Sequence, residues 1–438
     1  METIFAPATA RGRGGVAVIR ISGPHADSAL KALSGKGPGA PRLAELRELR
    51  DPQSENVLDQ ALVLFFQGPH SFTGEDVVEL HLHGGLAVVD SVVEGLGKIA
   101  GLRFAEPGEF SRRAVENGKF DLSAAEGIAD LIEAETSAQQ VQALRQMKGT
   151  FGVLCDGWRD QLVRSLAYVE ADIDFADEDL PDDLAGSVLP GLTALREEMS
   201  VFLSDHRGER IRDGIFVAVV GPPNGGKSSL VNALARRDAV IVSEEAGTTR
   251  DVVEVRLKMA GLPVTVCDTA GLRDGVGAVE QEGIRRARKT ADEADLRVWM
   301  QSAEDATLDF FAAVDPQDLK LVNKVDLVPK SLAAPDIFQL SIKTNSGVAA
   351  FEEALGARIE EMFGRGEEPL ITRARHRKEL EACVNALDGA LSLLRVGGET
   401  ALIAEELRHA ARGVGRITGR VDVEELLDVV FRDFCIGK

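Results

Sequence analysis

A glycine-rich stretch at residues 221–229 has the residue types and the spacing of a phosphate-binding loop. It reads Gly-Pro-Pro-Asn-Gly-Gly-Lys-Ser-Ser and matches the pattern G-x-x-x-x-G-K followed by Ser or Thr. Glycines let successive backbone N–H groups approach phosphate oxygens, and a helix that starts here adds positive potential. Lys227 would reach the β- and γ-phosphates, and Ser228 would hold Mg²⁺ through its hydroxyl. The alternative is an ordinary glycine-rich turn, which the flanking apolar segments disfavour.

A second motif would sense the γ-phosphate. Residues 265–271 read as a strand ending in Asp-x-x-Gly, where Asp268 would hold Mg²⁺ through water and the Gly271 amide would contact the γ-phosphate. Residues 247–251, Gly-Thr-Thr-Arg-Asp, would supply a switch threonine for Mg²⁺. The residue after Asp-x-x-Gly is Leu272, which cannot orient an attacking water as the glutamine of many GTPases does. Hydrolysis therefore needs another residue, a cation or a partner.

A third motif identifies the base. Residues 323–326, Asn-Lys-Val-Asp, follow an apolar run and match the guanine-reading pattern Asn-Lys-x-Asp. The Asp326 carboxylate would accept hydrogen bonds from guanine N1–H and N2–H₂, whereas adenine would leave it unpaired. Residues 341–343, Ser-Ile-Lys, would support the base. Together these motifs predict a GTPase.

The elements that must position these motifs follow from hydrophobic patterning. Residues 215–220 are continuously apolar, as in a buried parallel strand, and residues 230–234 read as the first turns of a helix. Helical patterns lie on both sides of this region, at 151–175, 189–203 and 399–412, which suggests a domain inserted into a helical bundle. The sequence therefore predicts a multidomain chain: an α+β N-terminal domain (1–118), a discontinuous α-helical domain (119–210 and 364–438) and an inserted α/β P-loop GTPase (G) domain (211–363).

Composition narrows the class of protein. The 438 residues carry a formal net charge of −21 and 44% hydrophobic residues. No apolar run approaches the length of a membrane span, and the N-terminus has no signal-peptide pattern. Four widely separated cysteines indicate neither a disulfide framework nor a zinc site. We therefore expect a cytoplasmic protein that binds no membrane and no DNA, and any RNA contact must use local basic patches or a basic partner.

The N-terminal segment contains an alternating strand at residues 77–83, with strands also predicted at 16–21 and 61–66. His81 and His83 lie on its polar face and could ligate a metal, although a solvated strand face is commoner. Spacing alone assigns no role to three charged residues, Arg20, Glu79 and Lys119.

The helical segments contain one capping pattern and two basic runs. Ser123-x-x-Glu126 resembles a capping box at the start of a helix. The basic runs at 373–378 and 412–420 could contact RNA phosphates, but more often such runs are solvated helix faces.

The chain ends in Phe-Cys-Ile-Gly-Lys. A cationic Lys438 near Cys435 would favour a reactive thiolate, while the simpler interpretation is a small apolar residue in a tail.

These motifs, taken together, resemble the MnmE (TrmE) family of tRNA-modification GTPases along essentially the whole chain. The Phe-Thr-Gly-Glu-Asp stretch at 72–76 and the terminal Cys-Ile-Gly-Lys are the most specific. The other residues that carry the resemblance lie at 14–16, 20–23, 77–80, 107–111, 223–229 and 246–251.

The resemblance implies a protein that dimerises through a folate-binding N-terminal domain. It implies a homodimer that forms a heterotetramer with the FAD-dependent flavoprotein MnmG and modifies C5 of the wobble uridine (U34) of certain tRNAs. The one-carbon donor would be a tetrahydrofolate derivative, 5-formyl- or methylene-tetrahydrofolate. By position, the folate-contacting residues would be Arg20, Glu79, Lys119 and Lys438. Cys435 matches a cysteine needed for modification, with its chemical role left open.

The resemblance also implies how GTP is hydrolysed without the glutamine of many GTPases. A potassium ion would neutralise charge developing at the β/γ-phosphates, as an arginine finger does. Glu280 occupies the position of the family's catalytic glutamate and would orient water. Mg²⁺ would be held by Ser228 and Thr249. The K⁺ ligands would be Asn224, Ser243, Glu245 and Thr248.

The predicted nucleotide site contains residues taken from the motifs and residues taken from the family resemblance. Pro222, Gly225 and Ile342 depart from the residues usual in the family, and backbone binding of phosphate survives the first two. The residues predicted to contact the nucleotide are Asn224, Gly225, Gly226, Lys227, Ser228, Ser229, Ser243, Thr248, Thr249, Asp268, Thr269, Ala270, Gly271, Asn323, Lys324, Asp326, Ser341, Ile342 and Lys343.

Two alternatives stay open at this point. The chain could be an RNA-binding GTPase switch of ribosome assembly that performs no modification chemistry. The N-terminal domain could also be a dimerisation scaffold that binds no folate.

Overall fold

The computed structural model describes residues 2–174, 186–237, 254–269, 285, 288–328, 334–364, 370–421, 424–432, 434, 436 and 437. The chain forms two compact units. The first contains Met1–Ala129, Gln146–Arg196 and Glu379–Lys438, and the second contains Asp130–Arg145 and Glu197–Lys378. The domain boundaries expected from the sequence stay a prediction.

The helices of the described residues account for most of the chain outside the two sheets. Short 3₁₀ turns lie at Gly186–Val188 and Val325–Leu327, and a π-helical turn lies at Glu360–Gly364. The α-helices are α1 (Ala26–Ser34), α2 (Leu86–Gly97), α3 (Glu109–Glu116), α4 (Leu122–Glu133), α5 (Ser137–Met147), α6 (Thr150–Asp174), α7 (Leu189–Ser204), α8 (Arg207–Asp213), α9 (Lys227–Arg237), α10 (Leu308–Phe311), α11 (Val348–Ile359), α12 (Ala374–Val396), α13 (Thr400–Thr418) and α14 (Glu424–Arg432).

The first unit contains a six-stranded sheet in the order β3-β4-β5-β2-β1-β6. Neighbouring strands are antiparallel, except that β1 and β6 are parallel. One face packs against α1 and α2 through a core that includes Ile19, Leu30, Leu80 and Leu96. The strands are β1 (Thr3–Pro7), β2 (Val16–Ser22), β3 (Glu45–Arg50), β4 (Val57–Phe66), β5 (Val77–His83) and β6 (Leu102–Phe104). The predicted α+β fold of this region is confirmed.

The alternation predicted for β5 is present. Val78, Leu80 and Leu82 are buried, whereas Glu79 is only half-buried on the opposite face. Because β2 and β5 are antiparallel, their register places Arg20 directly opposite Glu79. Two residues that are 59 apart in sequence thus become cross-strand neighbours.

The helical part of the first unit is built around α6, along which α13 packs. Arg408 of α13 donates to Glu170 of α6 across this contact, with an N–O distance of 2.7 Å. The helices predicted at 151–175, 189–203 and 399–412 are all observed.

The capping box predicted at Ser123 is wrong. Helix α4 begins at Leu122, and the Asp121 carboxylate accepts from the Ala124 amide at 2.8 Å and from the Ser123 hydroxyl at 2.7 Å. Asp121 therefore satisfies a free amide of the first turn, and Ser123 lies inside the helix.

The second unit contains a sheet in the order β12-β11-β10-β7-β9-β8. All pairings are parallel except that of the edge strand β8 with β9. Its core includes Val217, Leu230 and Phe351, so α9 and α11 both cover the sheet. The strands are β7 (Ile215–Val220), β8 (Glu254–Met259), β9 (Leu262–Asp268), β10 (Leu296–Ser302), β11 (Leu319–Asn323) and β12 (Ile337–Gln339). This is the predicted α/β fold, in which ligands bind at the carboxyl ends of parallel strands.

The segments that lead into and out of this sheet are joined at one carboxylate. Asp130 Oδ1 accepts from Arg212 Nε at 2.9 Å and from Arg373 Nη2 at 2.6 Å. Next to it, Arg377 Nε donates to Glu209 Oε2 at 2.8 Å. The segments that precede and follow the sheet therefore lie side by side.

No helix within the described ranges is both long enough and apolar enough to cross a bilayer.

Candidate functional site

The glycine-rich loop connects β7 to α9, which begins at Lys227. Two glycines are required by the geometry. Gly226 has φ +99°, and a Cβ there would lie 2.3 Å from Asn323 Nδ2. A Cβ on Gly221 would lie 1.9 Å from the Met300 carbonyl oxygen. The loop is therefore pressed against the ends of β10 and β11, with the amides of the first turn of α9 at its C-terminal end.

Lys227 places its charge on this loop. Its ammonium group donates to the carbonyl oxygens of Gly221 and Pro222, both at 2.9 Å, and its side chain is buried. A lysine fixed in this way holds a positive charge where phosphate oxygens would meet the backbone amides. The role of Lys227 in binding the β- and γ-phosphates stays a prediction.

The two oxygen donors predicted to bind Mg²⁺, directly or through water, are in contact. Ser228 Oγ donates to Asp268 Oδ2 at the carboxyl end of β9. Asp268 is 1% exposed, and the neighbouring Thr269 hydroxyl donates to Val219 O at 2.7 Å, which fixes this strand end beside β7. A hydroxyl and a carboxylate together are the hard oxygen ligands that Mg²⁺ prefers. The donor set therefore fits that metal.

Asn323 links the phosphate loop to the base-reading loop. Its Nδ2 donates to Gly225 O at 3.0 Å, and its Oδ1 accepts from the Ile342 amide at 3.3 Å. Lys324 has φ +63° and Asp326 is exposed, so the Asp326 carboxylate is accessible to a ligand. The structure thus brings three motifs, at 221–229, 323–326 and 341–343, to one edge of the sheet.

The other described nucleotide residues lie on the same segments. Ser229 is exposed on α9, the Ser341 hydroxyl accepts from the Thr344 amide at 3.2 Å, and Lys343 is exposed. The predicted residues that lie outside the described part of the chain are Ser243, Glu245, Thr248, Thr249, Ala270, Gly271, Glu280, Cys435 and Lys438.

A second group of predicted residues meets on the first unit. Arg20 Nη2 and Nε lie 2.9 and 3.1 Å from Glu79 Oε1, and both side chains remain partly accessible. The guanidinium also lies over the Phe72 ring at 5.1 Å and near the Phe110 ring at 5.8 Å. The result is a cation held between a carboxylate and two aromatic faces.

Lys119 follows α3 and contacts the loop that carries Phe72. Its ammonium group donates to Pro69 O at 2.6 Å. Sequence reasoning missed the aromatic contacts of Phe72 and Phe110, although both lie in stretches that carried the family resemblance. Their placement depends on strand register and loop closure, which residue spacing does not reveal.

The C-terminal tail approaches this region. A Cβ on Gly437 would lie 2.0 Å from Pro7 O at the end of β1, whose neighbour Ala6 is paired with Arg20. Phe434 is buried, and a Cβ on Gly108 would lie 2.9 Å from its Cβ. Phe434 and Gly437 are thus both packed against the N-terminal domain.

Other charged groups singled out from the sequence have protein partners. His83 Nδ1 lies 2.7 Å from Asp59 Oδ1, and His81 Nε2 lies 3.4 Å from Glu79 Oε2. In the described ranges no group of three or more His, Cys, Asp or Glu residues could hold a metal ion.

The basic runs are extensively paired within the chain. Arg373 contacts Asp130, Arg377 contacts Glu209, Arg416 contacts Glu379 and Arg420 contacts Asp156. These pairs favour a structural role for the runs over RNA contact.

Three cysteines are buried: Cys155, Cys267 and Cys383. Burial raises the pKa of Cys267 and that of Cys383 to about 12. At pH 8 only about one in ten thousand of either thiol would be ionised. Their chemistry is therefore that of packed apolar groups.

We expect the three buried cysteines to resist alkylation in the native protein. When the folded protein is treated with iodoacetamide at pH 8 and its peptides are mapped by mass spectrometry, Cys155, Cys267 and Cys383 should remain unmodified. Urea-unfolded protein, in which all four react, is the control. Rapid native modification of Cys267 would contradict the buried, protonated state described above.

The sequence of this chain is similar to known proteins along its whole length. A family model described as the MnmE helical domain matches residues 122–435, and one described as the GTP-binding protein TrmE N-terminus matches residues 3–119. The chain is 56% identical to the tRNA modification GTPase MnmE of Parvibaculum lavamentivorans and 51% identical to that of Paramagnetospirillum magneticum, in each case over 100% of both chains. This chain therefore belongs to the MnmE family of tRNA modification GTPases.

Proposed function

We propose that this protein is a K⁺-activated GTPase that modifies the wobble uridine (U34) of certain tRNAs. Together with the FAD-dependent partner MnmG, it would add a carboxymethylaminomethyl or aminomethyl group to C5 of that base, with a tetrahydrofolate as one-carbon donor. The observation that carries the proposal is the link that Asn323 makes between the phosphate loop and the base-supporting segment 341–343, together with the contact between the Mg²⁺ donors Ser228 and Asp268. Family membership supplies the tRNA substrate class.

GTP binding follows from groups that the structure positions. Backbone amides of the loop and the Lys227 ammonium group would bind the phosphates, and Asp326 would accept the guanine N–H groups. Ser228 and Asp268 would hold Mg²⁺, with Thr249 as a further ligand. When bound, the metal neutralises negative charge on the β- and γ-phosphates.

GTP hydrolysis requires a group that orients water or stabilises the transition state, and Leu272 can do neither. Asn224 is exposed in the phosphate loop with φ +61°, so its side-chain oxygen is accessible to a cation. With Ser243, Glu245 and Thr248 it would hold K⁺, which supplies positive charge near the β/γ-phosphates. Glu280 would orient the attacking water.

The Arg20 region, formed by Arg20, Glu79, Lys119 and Phe72, would bind the folate. A tetrahydrofolate has pterin N–H donors and a carboxylate-bearing tail, so it needs a carboxylate acceptor, cations and an aromatic surface. Glu79, Arg20, Lys119 and Phe72 supply these groups close together. Lys438 would add a further cation from the C-terminal tail.

The outer face of the first-unit sheet supports the proposed homodimer. Leu46 of β3 and Leu62 of β4 lie directly opposite each other and are 68% and 47% exposed. Val16, on the same face of β2 as Arg20, is 61% exposed. The exposed pair of Leu46 and Leu62, which the polar face of β5 separates from Val16, suits a symmetric protein interface. MnmG would then bind this dimer to form the heterotetramer that acts on tRNA.

Wobble nucleosides test the proposal as a whole. In cells that lack this gene, mass spectrometry of digested total tRNA should show complete loss of a 5-aminomethyl-type uridine. The intact gene should restore the nucleoside, whereas a version lacking the last four residues should not.

The negative result is equally informative. An unchanged nucleoside profile in the deletion strain would remove the modification assignment. The RNA-binding switch of ribosome assembly would then be the better account of this GTPase.

A further inference from the structure

The loop between β4 and β5, residues 67–76, touches both described cations of the Arg20 region. Its Phe72 ring lies under the Arg20 guanidinium at 5.1 Å, and its Pro69 carbonyl accepts from the Lys119 ammonium group at 2.6 Å. Phe72 also contacts Phe120 with 5.7 Å between ring centroids. We call residues 67–76 the Phe72 loop. Its position determines where both cations are presented.

One buried carboxylate ties this loop to two other elements. Glu75 Oε2 accepts from the Ser22 hydroxyl of β2 at 2.7 Å and from Arg113 Nη1 of α3 at 3.1 Å. The side chains of Glu75 and Arg113 are only 12% and 6% exposed. Glu75 therefore crosslinks the Phe72 loop, the strand that carries Arg20 and the helix that precedes Lys119.

Neighbouring contacts join the loop to β2 and to the segment after α3. The Thr73 hydroxyl hydrogen-bonds with that of Ser22 at 2.7 Å, and Asn117 Nδ2 donates to Thr73 O at 2.7 Å. Gly74 has φ +80°, and a Cβ there would lie 3.1 Å from the Asn117 side chain. A shift of the loop at Glu75 would therefore be passed to the segment that carries Lys119.

We propose that Glu75 is a positioning residue of the Arg20 region, through which the Phe72 loop holds Arg20 and Lys119 for a folate. The inference rests on the proposed folate site. Glu75 faces Ser22 and Arg113 and need not contact the ligand. Removing its charge leaves the buried Arg113 with one carboxylate fewer and releases the loop from β2.

A matched control lies on the other side of the same guanidinium. Glu109 accepts from Arg113 Nη2 at 2.9 Å and from Arg103 Nη2 at 2.6 Å, and its side chain is 11% exposed. Its charge and burial equal those of Glu75. It belongs to α3 rather than to the Phe72 loop.

The test is calorimetric titration of full-length protein with 5-formyl-tetrahydrofolate. Wild type, E75Q, E109Q and S22A are compared, with thermal unfolding and GTP hydrolysis measured on each. We expect E75Q to bind about tenfold more weakly or worse, S22A to bind roughly threefold more weakly and E109Q to stay within about twofold. GTP hydrolysis should be unchanged in all of them.

A double-mutant cycle distinguishes positioning from general destabilisation. If Glu75 acts through the Phe72 loop, the loss of affinity in the combined variant E75Q/F72A should be clearly smaller than the sum of the two single losses. Additive losses would overturn the inference, because they would mean that Glu75 and Phe72 act independently.

The outcomes separate this inference from the function it rests on. A wild type that binds no folate removes the folate assignment and the inference with it. A wild type that binds, with E75Q and E109Q equally affected, overturns the inference alone. If E75Q does not fold, S22A decides, and unchanged affinity in that variant refutes the role of Glu75.

Discussion

Replacing Gly226 with alanine is expected to lower GTP affinity by roughly a hundredfold or more. The residue has φ +99°, which an L side chain adopts only under strain. The added methyl group would also lie 2.3 Å from Asn323 Nδ2. Asn323 cannot withdraw without losing its bonds to Gly225 O and to the Ile342 amide. One methyl group should therefore disturb the phosphate loop and the base loop together.

The adjacent glycine is the matched control. A Cβ on Gly225 would lie 3.4 Å from Pro222 O and 3.6 Å from Met300 O, which is ordinary van der Waals contact. G225A should therefore bind GTP within about threefold of wild type. Titration with a fluorescent GTP analogue measures both variants. Similar affinities for G225A and G226A would refute this account of the loop.

GTP hydrolysis is expected to be about tenfold faster or more in KCl than in NaCl at equal ionic strength. Leu272 cannot orient water, so transition-state charge must be stabilised by another group. A site sized for K⁺ would hold the smaller Na⁺ poorly. Phosphate release under saturating GTP measures the rate in each salt.

Two asparagines make this prediction specific. N224A should hydrolyse GTP at the same slow rate in both salts, because the exposed loop oxygen is removed. Asn232 is exposed on α9, away from the loop, so N232A should keep the full preference for K⁺. Equal rates for wild type in KCl and NaCl would instead direct attention to a group supplied by a partner.

The nucleotide site could be predicted from the sequence because its chemistry is encoded in short contiguous stretches. Residues 221–229 contain the loop, the lysine and the Mg²⁺ serine in one run. The second role of Asn323 could not be predicted in this way. Its partner Gly225 is 98 residues away, and only the parallel order of β7, β10 and β11 brings the two together.

The Arg20 region shows the opposite case. Spacing gave Arg20, Glu79 and Lys119 no role, because their proximity depends on the register of β2 against β5 and on the path of the Phe72 loop. Only the family resemblance pointed to them. Their contacts with aromatic rings and with a carboxylate form only when the chain has folded.

Two local features also escaped the sequence patterns. Strand β3 reads Glu-Leu-Arg-Glu-Leu-Arg and buries only Leu49 fully, since an edge strand with exposed charges shows little alternation. At α4, Asp121 and Ser123 are both good capping residues, and the pattern could not decide between them. The structure selects Asp121.

The shared contact of Arg212 and Arg373 with Asp130 bears on how such a chain can fold and evolve. Because the two ends of the nucleotide-binding insert meet at one carboxylate oxygen, the insert closes a long loop at little cost in chain entropy to its host. The insert and the rest of the chain can then fold as separate cooperative units. Either can accumulate substitutions, or be exchanged for a homologous copy, without changing the register of the other.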